Sequence, residues 1–454
     1  MRTDGEHAMA PACPSAAIGY TRCTSAARSS MLLLHQARNR PRTSATARSG
    51  TQAPKIGLAV AGGGPIGGMY ELGALRALDE ALDGLDLTRL DCYVGVSSGA
   101  FLAAGLVNRM STAQMCRIFI TGTSDDVEFR PETFLRPAIL EYLRRASNLP
   151  RLVADWWREL LFAPGEARWA DLITRFGGLV PTGLFDNSEV ERFLREVFER
   201  RGRSNDFREL GRPLYVVAVD LDSGEAVRFG SPGWEDVPIS HAIQASAALP
   251  GLYPPVQIRN RHFVDGALRR TMHASVVLDQ GIDLLLGVNP LVPFDASLTP
   301  QHGAACDPRG LAGGGLPAVL SQTFRTMLQS RMEIGLAKYA QQYPDVDQLV
   351  FEPNADDGEM FYTNLFSFSS RHQVCQLAYR NTLADLRRRA DTLRPLLAAH
   401  GIQLREEIVN DPQRSILDGL DEPPRMTDAT ARLHRALDDV AQMVASPNTR
   451  RTRR

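Results

Sequence analysis

The chain has no CxxC pair and no cluster of cysteine with histidine; Cys13, Cys23, Cys92, Cys116, Cys306 and Cys375 are scattered. That spacing offers neither a structural zinc site nor a disulfide framework, and it is compatible with a reducing compartment. Long apolar runs are missing as well. No stretch reaches the roughly 18 consecutive apolar residues of a spanning helix. The most apolar segment, Ile282 to Phe294, is broken by Asp283, Gly287, Pro290 and Pro293, so it reads as a buried strand with its exit loop. Charge of one sign is also lacking. With 51 basic and 52 acidic residues the net charge is −1, which leaves no footprint for nucleic acid. The expectation is a cytoplasmic chain that meets a membrane at its periphery and does not cross it.

What is present is a globular composition, 44% hydrophobic and 23% charged, on a chain long enough for one large α/β domain with extensions. Residues 1–54 are rich in Ala, Ser, Thr and Arg without apolar periodicity and are expected to be a disordered tail. Arg28, Arg38, Arg40, Arg42 and Arg48 also suit a transit-type presequence, and a start placed too far upstream is an equally plain account. The core Met31-Leu32-Leu33-Leu34 is too short for a secretory signal.

From Lys55 the pattern changes. Ile56 to Val60 is a short apolar run ending in Gly62-Gly63-Gly64, then an amphipathic stretch from Met69 to Leu82. Strand, glycine turn, helix is the reading. Leu90 to Val94, Gly95-Val96-Ser97-Ser98-Gly99 and Ala100 to Asn108 repeat it. Further strands are expected at Leu214 to Val219, Ala226 to Phe229, Gln257 to Ile258, His262 to Val264 and Leu284 to Val288. Strands alternating with helices predict a mainly parallel sheet covered on both faces. Residues 55–295 form the expected catalytic domain. Within it, 110–182 is a helical insertion carrying Trp156, Trp157 and Trp169. A lid, an interfacial anchor and plain helix packing all fit that insertion. Asp186, Asn187 and Ser188 offer N-cap choices for the next helix, with Ser188 and Glu191 at capping-box spacing. Residues 296–445, entered through the linker Gly313-Gly314-Gly315, are expected to be a mostly helical extension, and 446–454 a disordered basic tail.

Gly95-x-Ser97-x-Gly99 sits where a sharp strand-to-helix turn would lift a serine hydroxyl above the sheet. Gly62, Gly63, Gly64 and Gly67 offer backbone amides unobstructed by side chains, as an oxyanion requires. The same string satisfies a dinucleotide fingerprint, but the second strand ends in Val94-Gly95 instead of an acid, and no Walker lysine follows. Asp265-Gly266-Ala267 closes another strand, a place where catalytic side chains gather; a simple Asp-Gly turn is its bland reading.

In order, Gly62-Gly63-Gly64 with Gly67 and Tyr70-x-x-Gly73, Gly95-Val96-Ser97-Ser98-Gly99, Ala245-Ser246-Ala247-Ala248-Leu249-Pro250-Gly251 and Asp265-Gly266-Ala267 resemble the patatin-like phospholipase family. The resemblance covers about half the chain, from Lys55 to Asn289. It implies a three-layer α/β/α fold and a histidine-free dyad with Ser97 as nucleophile and Asp265 as general base. Gly62, Gly63, Gly64 and Gly67 would line the oxyanion hole, with Gly95 and Gly99 framing the nucleophile. The implied activity is calcium-independent acyl-ester hydrolysis of phospholipid or glycerolipid through an acyl-enzyme. Neither cofactor nor metal is implied, and the expected partner is lipid. One departure stands out: the family usually has Arg or Lys two residues after the third glycine, and here that position is Ile66. Arg76 or another residue would have to supply the charge. That departure keeps open a second reading, a catalytically weak module that binds lipid or protein. His241, His262 and His273 and the acids Asp220 and Asp222 are read as structural, Asp220 in a hairpin turn.

Overall fold

A computed structural model describes residues 32–37, 53–123, 127, 129–130, 136–137, 182–295, 310–355 and 368–420. Most of the expected 110–182 insertion, with its three tryptophans, and the 446–454 tail lie outside the described residues.

The strands are β1 (Leu33–His35), β2 (Ile56–Val60), β3 (Leu82–Asp83), β4 (Cys92–Gly95), β5 (Leu214–Asp220) and β6 (Ala226–Phe229). They continue as β7 (Val256–Ile258), β8 (Arg261–Asp265), β9 (Leu284–Val288), β10 (Asp347–Phe351) and β11 (Gln403–Leu404). The helices are α1 (Gly64–Ala81), α2 (Ser98–Val107), α3 (Thr112–Cys116), α4 (Ser188–Phe198) and α5 (Ile239–Ser246). After them come α6 (Ser275–Leu278), α7 (Gly315–Gln342), α8 (Phe368–Arg388), α9 (Ala390–Ala398) and α10 (Glu406–Val409).

One sheet runs in the order β1-β10-β9-β2-β4-β5-β8-β7, with β6 also on β5; β3 and β11 form a separate small pair. The run β10-β9-β2-β4-β5 is parallel, and β1, β6, β7 and β8 join antiparallel. Alternation along the strands feeds two layers. Leu284, Leu286 and Val288 of β9 enter the core beneath α1, α2 and α8, whereas Leu285 enters the opposite core beneath α6 and α7. The fold is therefore α/β in three layers, built around a mostly parallel sheet.

Two expected boundaries move. Leu33-Leu34-His35 lies inside the segment read as a disordered tail, yet it forms edge strand β1 on β10. The Ala37 N–H donates to Asp347 Oδ1 at 2.8 Å, which fastens the segment at its far end. Likewise, the described residues after 295 are not helical alone, though they pack on the core as expected. β10 extends the same sheet, and Gly313 to Gly315, read as a linker, leads straight into the 28-residue α7. Of the three N-cap choices, α4 takes Asn187, without a side-chain cap bond. The Asn187 side chain instead accepts from Gln244 Nε2 at 3.0 Å, bridging α4 to α5.

Helix α8 lies against α1 at Gly73. A Cβ there would stand 2.2 Å from the Cys375 carbonyl oxygen and 2.9 Å from Ala378 Cβ, so only glycine admits this approach. Gly73→Ala is expected to force the helices apart at a cost of about 1–3 kcal/mol. A thermal melt checks it: an unchanged midpoint would mean that the two helices do not meet there.

Candidate active site

β4 turns into α2 at Ser97, whose backbone is left-handed, φ 52°. A side chain rarely tolerates that region, so the turn is held under strain by its surroundings. The flanking glycines permit it sterically. A Cβ on Gly95 would meet Ala100 Cα at 2.4 Å, and one on Gly99 would meet the Ala61 carbonyl oxygen at 2.3 Å. The Ser97 N–H donates to Ser246 Oγ at 2.8 Å, and Ser246 Oγ–H donates to the Val217 carbonyl at 2.6 Å. Ser246 therefore ties the serine turn to the central strand β5.

Sheet register brings Asp265 to the same level. Gly95 pairs with Val216 on β5, and two residues further along β5 Ala218 pairs with Asp265. The Ser97 and Asp265 side chains line one cavity, and the Ser97 hydroxyl favours the charged form of the Asp265 carboxyl. Asp265 Oδ1 also accepts from the Ala267 N–H at 2.8 Å, and the Asp265 N–H donates to the Ala248 carbonyl at 3.0 Å. Burial pushes the Asp265 carboxyl up to about 6, against the lowering effect of the Ala267 N–H and the Ser97 hydroxyl. It is thus a stronger base than an exposed aspartate while still ionised at neutral pH. Gly266, between Asp265 and Ala267, is packed against Val217, where a Cβ would fall 2.2 Å from its carbonyl oxygen.

The glycine loop is more committed than its sequence suggests. The Gly62 N–H goes to the Thr271 carbonyl at 3.3 Å, and the Gly67 N–H to the Gly63 carbonyl at 3.1 Å. These two amides are not oriented for an external oxyanion, contrary to the sequence expectation. The Gly63 N–H donates to Ser98 Oγ at 3.1 Å. Gly64 opens α1, where the helical ladder provides no acceptor for its N–H, and it lines the cavity described below. Pro290 backs the loop: a Cβ on Gly63 would lie 2.4 Å from Pro290 Cγ. Asn289, just before it, donates to Glu352 Oε1 at 2.7 Å, so the C-terminal strand β10 helps hold the loop in place. Ser98 also faces Glu71, a buried carboxyl that burial pushes well above the usual range.

Ser97, Ser98, Gly64 and Asp265 share a cavity of about 190 Å³. Phe101, Phe119, Phe129 and Phe193 stack edge to face along one side, and Leu72, Leu194, Ile243 and Leu249 complete an apolar wall. Among the described lining residues there is no histidine. His273 is buried behind the Asp265 turn with Nε2 3.3 Å from the Gly266 carbonyl, and burial pushes its imidazole down to about 4, so it is neutral. His262 lies exposed on β8, and Asp220 is occupied in the β5–β6 turn with Asp222, Ser223 and Arg261.

The model of the patatin-like phospholipase family matches residues 58–278. Residues 58–278 thus match a patatin-like phospholipase domain. Similar solved structures include VipD from Legionella pneumophila, 20% identical, covering 52% of this chain and 50% of that one at a TM-score of 0.28. Human GIVD cytosolic phospholipase A2 with methyl gamma-linolenyl fluorophosphonate is 14% identical, covering 77% and 60% at 0.32. ExoU with SpcU, from the type III secretion system of Pseudomonas aeruginosa, is 15% identical, covering 71% and 56% at 0.25. The chain spans half to six-tenths of the length of these relatives.

The patatin-like domain lacks a cation at Ile66, which is partly buried against the core. Arg76 does not replace it. Its guanidinium is paired with Glu80 and donates to the Asp418 carbonyl at 3.1 Å, on the side of α1 held by the C-terminal segment. Among the described lining residues the cation is Arg371 of α8. Sequence reasoning passed over it because nothing local marks it; only the α1–α8 contact at Gly73 brings it there. Ser246 and Ser98 were visible within the quoted motifs, though without a role.

Proposed function

We propose that the protein is a lipid acyl hydrolase in which Ser97 is the nucleophile and Asp265 the base. The observation that carries this reading is the juxtaposition of Ser97, on its strained turn, and buried Asp265 in one apolar cavity. Ser97 Oγ attacks the ester carbonyl carbon while its proton passes to Asp265. The carbonyl oxygen becomes an oxyanion beside the Gly64 N–H at the start of α1. Collapse expels the alcohol, which takes the proton from Asp265, and leaves an acyl-Ser97 ester. Water then gives a proton to Asp265 and attacks that ester. The second collapse releases the fatty acid and returns the proton to Ser97.

Every group this cycle uses is a side chain or backbone amide of the chain, so calcium is not required. Incubation with diacyl phospholipids and neutral glycerolipids in chelator, with products read by mass spectrometry, tests the reading. Release of free fatty acid with a matching lyso-product or alcohol is the expected result. No release from any lipid, or release only when calcium is restored, would sink it. Ile66 in place of a cation favours one other reading, a module that binds lipid without turnover. Liposome flotation without acyl release would select that reading.

A further inference from the structure

The cavity at Ser97 is walled largely by apolar side chains, and Arg371 is the one Lys or Arg among its described lining residues. It is buried there, at the start of a helix drawn tight against α1 one turn further on, at Cys375. Its guanidinium carbon lies 5.4 Å from the centroid of Phe129, on the aromatic side of the cavity. A guanidinium keeps its charge throughout the pH range of a folded protein, and its planar fork matches the paired oxygens of phosphate or carboxylate. An acyl chain needs only the apolar walls. A fixed positive charge beside them adds recognition where the ligand brings a negative one.

Resting on the acyl-hydrolase reading above, we infer that Arg371 is a specificity-determining residue that binds the anionic oxygens of the lipid. A glycerophospholipid carries its phosphodiester a few bonds from the ester to be cleaved, so one cavity serves both groups. The carboxylate released by hydrolysis has the same chemistry and is the other source of such oxygens.

Calorimetry on the full chain carrying Ser97→Ala separates binding from turnover. The probes are dodecyl phosphate, dodecanoate and dodecanol, each below its micelle concentration. Dodecyl phosphate is expected to bind about tenfold or more tighter than dodecanol. Adding Arg371→Leu should erase that advantage and leave dodecanol binding unchanged, while Arg371→Lys should keep part of it. Preference for phosphate alone assigns the site to the headgroup; equal preference for dodecanoate assigns it to the released acid as well. Equal affinity for all three probes, or a phosphate advantage that survives Arg371→Leu, would overturn the inference. If circular dichroism shows that Arg371→Leu does not fold, Arg371→Gln takes its place. Failure here leaves the hydrolase reading intact, since that stands or falls on fluorophosphonate labelling and acyl release by the native chain.

Discussion

Ser97→Ala is expected to lose fluorophosphonate labelling entirely and to release acyl chains at least about four orders of magnitude more slowly. Alanine meets the same left-handed backbone strain at φ 52°, and the Ser246 clamp holds the amide of residue 97, not its side chain. The turn should therefore survive, and the far-ultraviolet spectrum should match the native one. What disappears is the hydroxyl that shares the cavity with Asp265 and favours its charged form. Ester hydrolysis at the native rate by this variant would show that the chemistry lies elsewhere.

Asp265→Asn is expected to lower kcat by about three to four orders of magnitude, because an amide cannot take the serine proton. The native enzyme supplies a second check through pH. With the carboxyl pushed up to about 6, kcat/KM should rise as pH passes through that value and level off above it. Stability runs the other way. Between the unfolded value of about 4 and the folded value of about 6, the unfolded chain gives up its proton first. The folded state is therefore progressively penalised as pH rises through that window. The penalty is complete above about 6, where it amounts to the order of 1–3 kcal/mol. Asparagine escapes it. The Asp265→Asn chain should melt above the native chain at pH 7.5, by a margin that shrinks as the pH approaches 4. A margin independent of pH would mean that Asp265 is not buried as a charge.

The parts of this site that were legible in the sequence are those whose geometry is local. Gly95, Ser97 and Gly99 sit between an apolar strand and a helix because a turn that sharp excludes Cβ atoms on both sides, and that demand leaves a mark within five residues. Asp265 at the end of β8 is similar. The glycine loop was legible only as a loop. Which of its amides point outward depends on Thr271, Ser98 and Gly63 acting as acceptors, and those pairings join distant or ambiguous positions. The mixed orientation of the sheet was partly hidden as well, since β7 and β8 are too short to reveal their direction. β1 and β10 escaped for a related reason. Leu33 to His35 and Leu349 to Phe351 are short runs in segments whose neighbours are polar, and each becomes a strand only because the other, or β9, lies beside it. Arg371 carries no local pattern at all; its place follows from a missing side chain at Gly73, three hundred residues earlier in the chain.

That contact bears on what counts as the unit of this protein. The family match ends at residue 278, before β9, β10 and α8 have been added. A molecule ending there would leave β2 as a bare apolar edge, a template for pairing with other chains. It would also be without Pro290 behind the glycine loop and without the cavity wall that Arg371 supplies. The stretch that bears the family's motifs and the stretch that completes the enclosure are thus two halves of a single inheritance. A side chain added to α1 at Gly73 would find room only if α8 yielded at Cys375 and Ala378, however far apart the two helices stand in the chain.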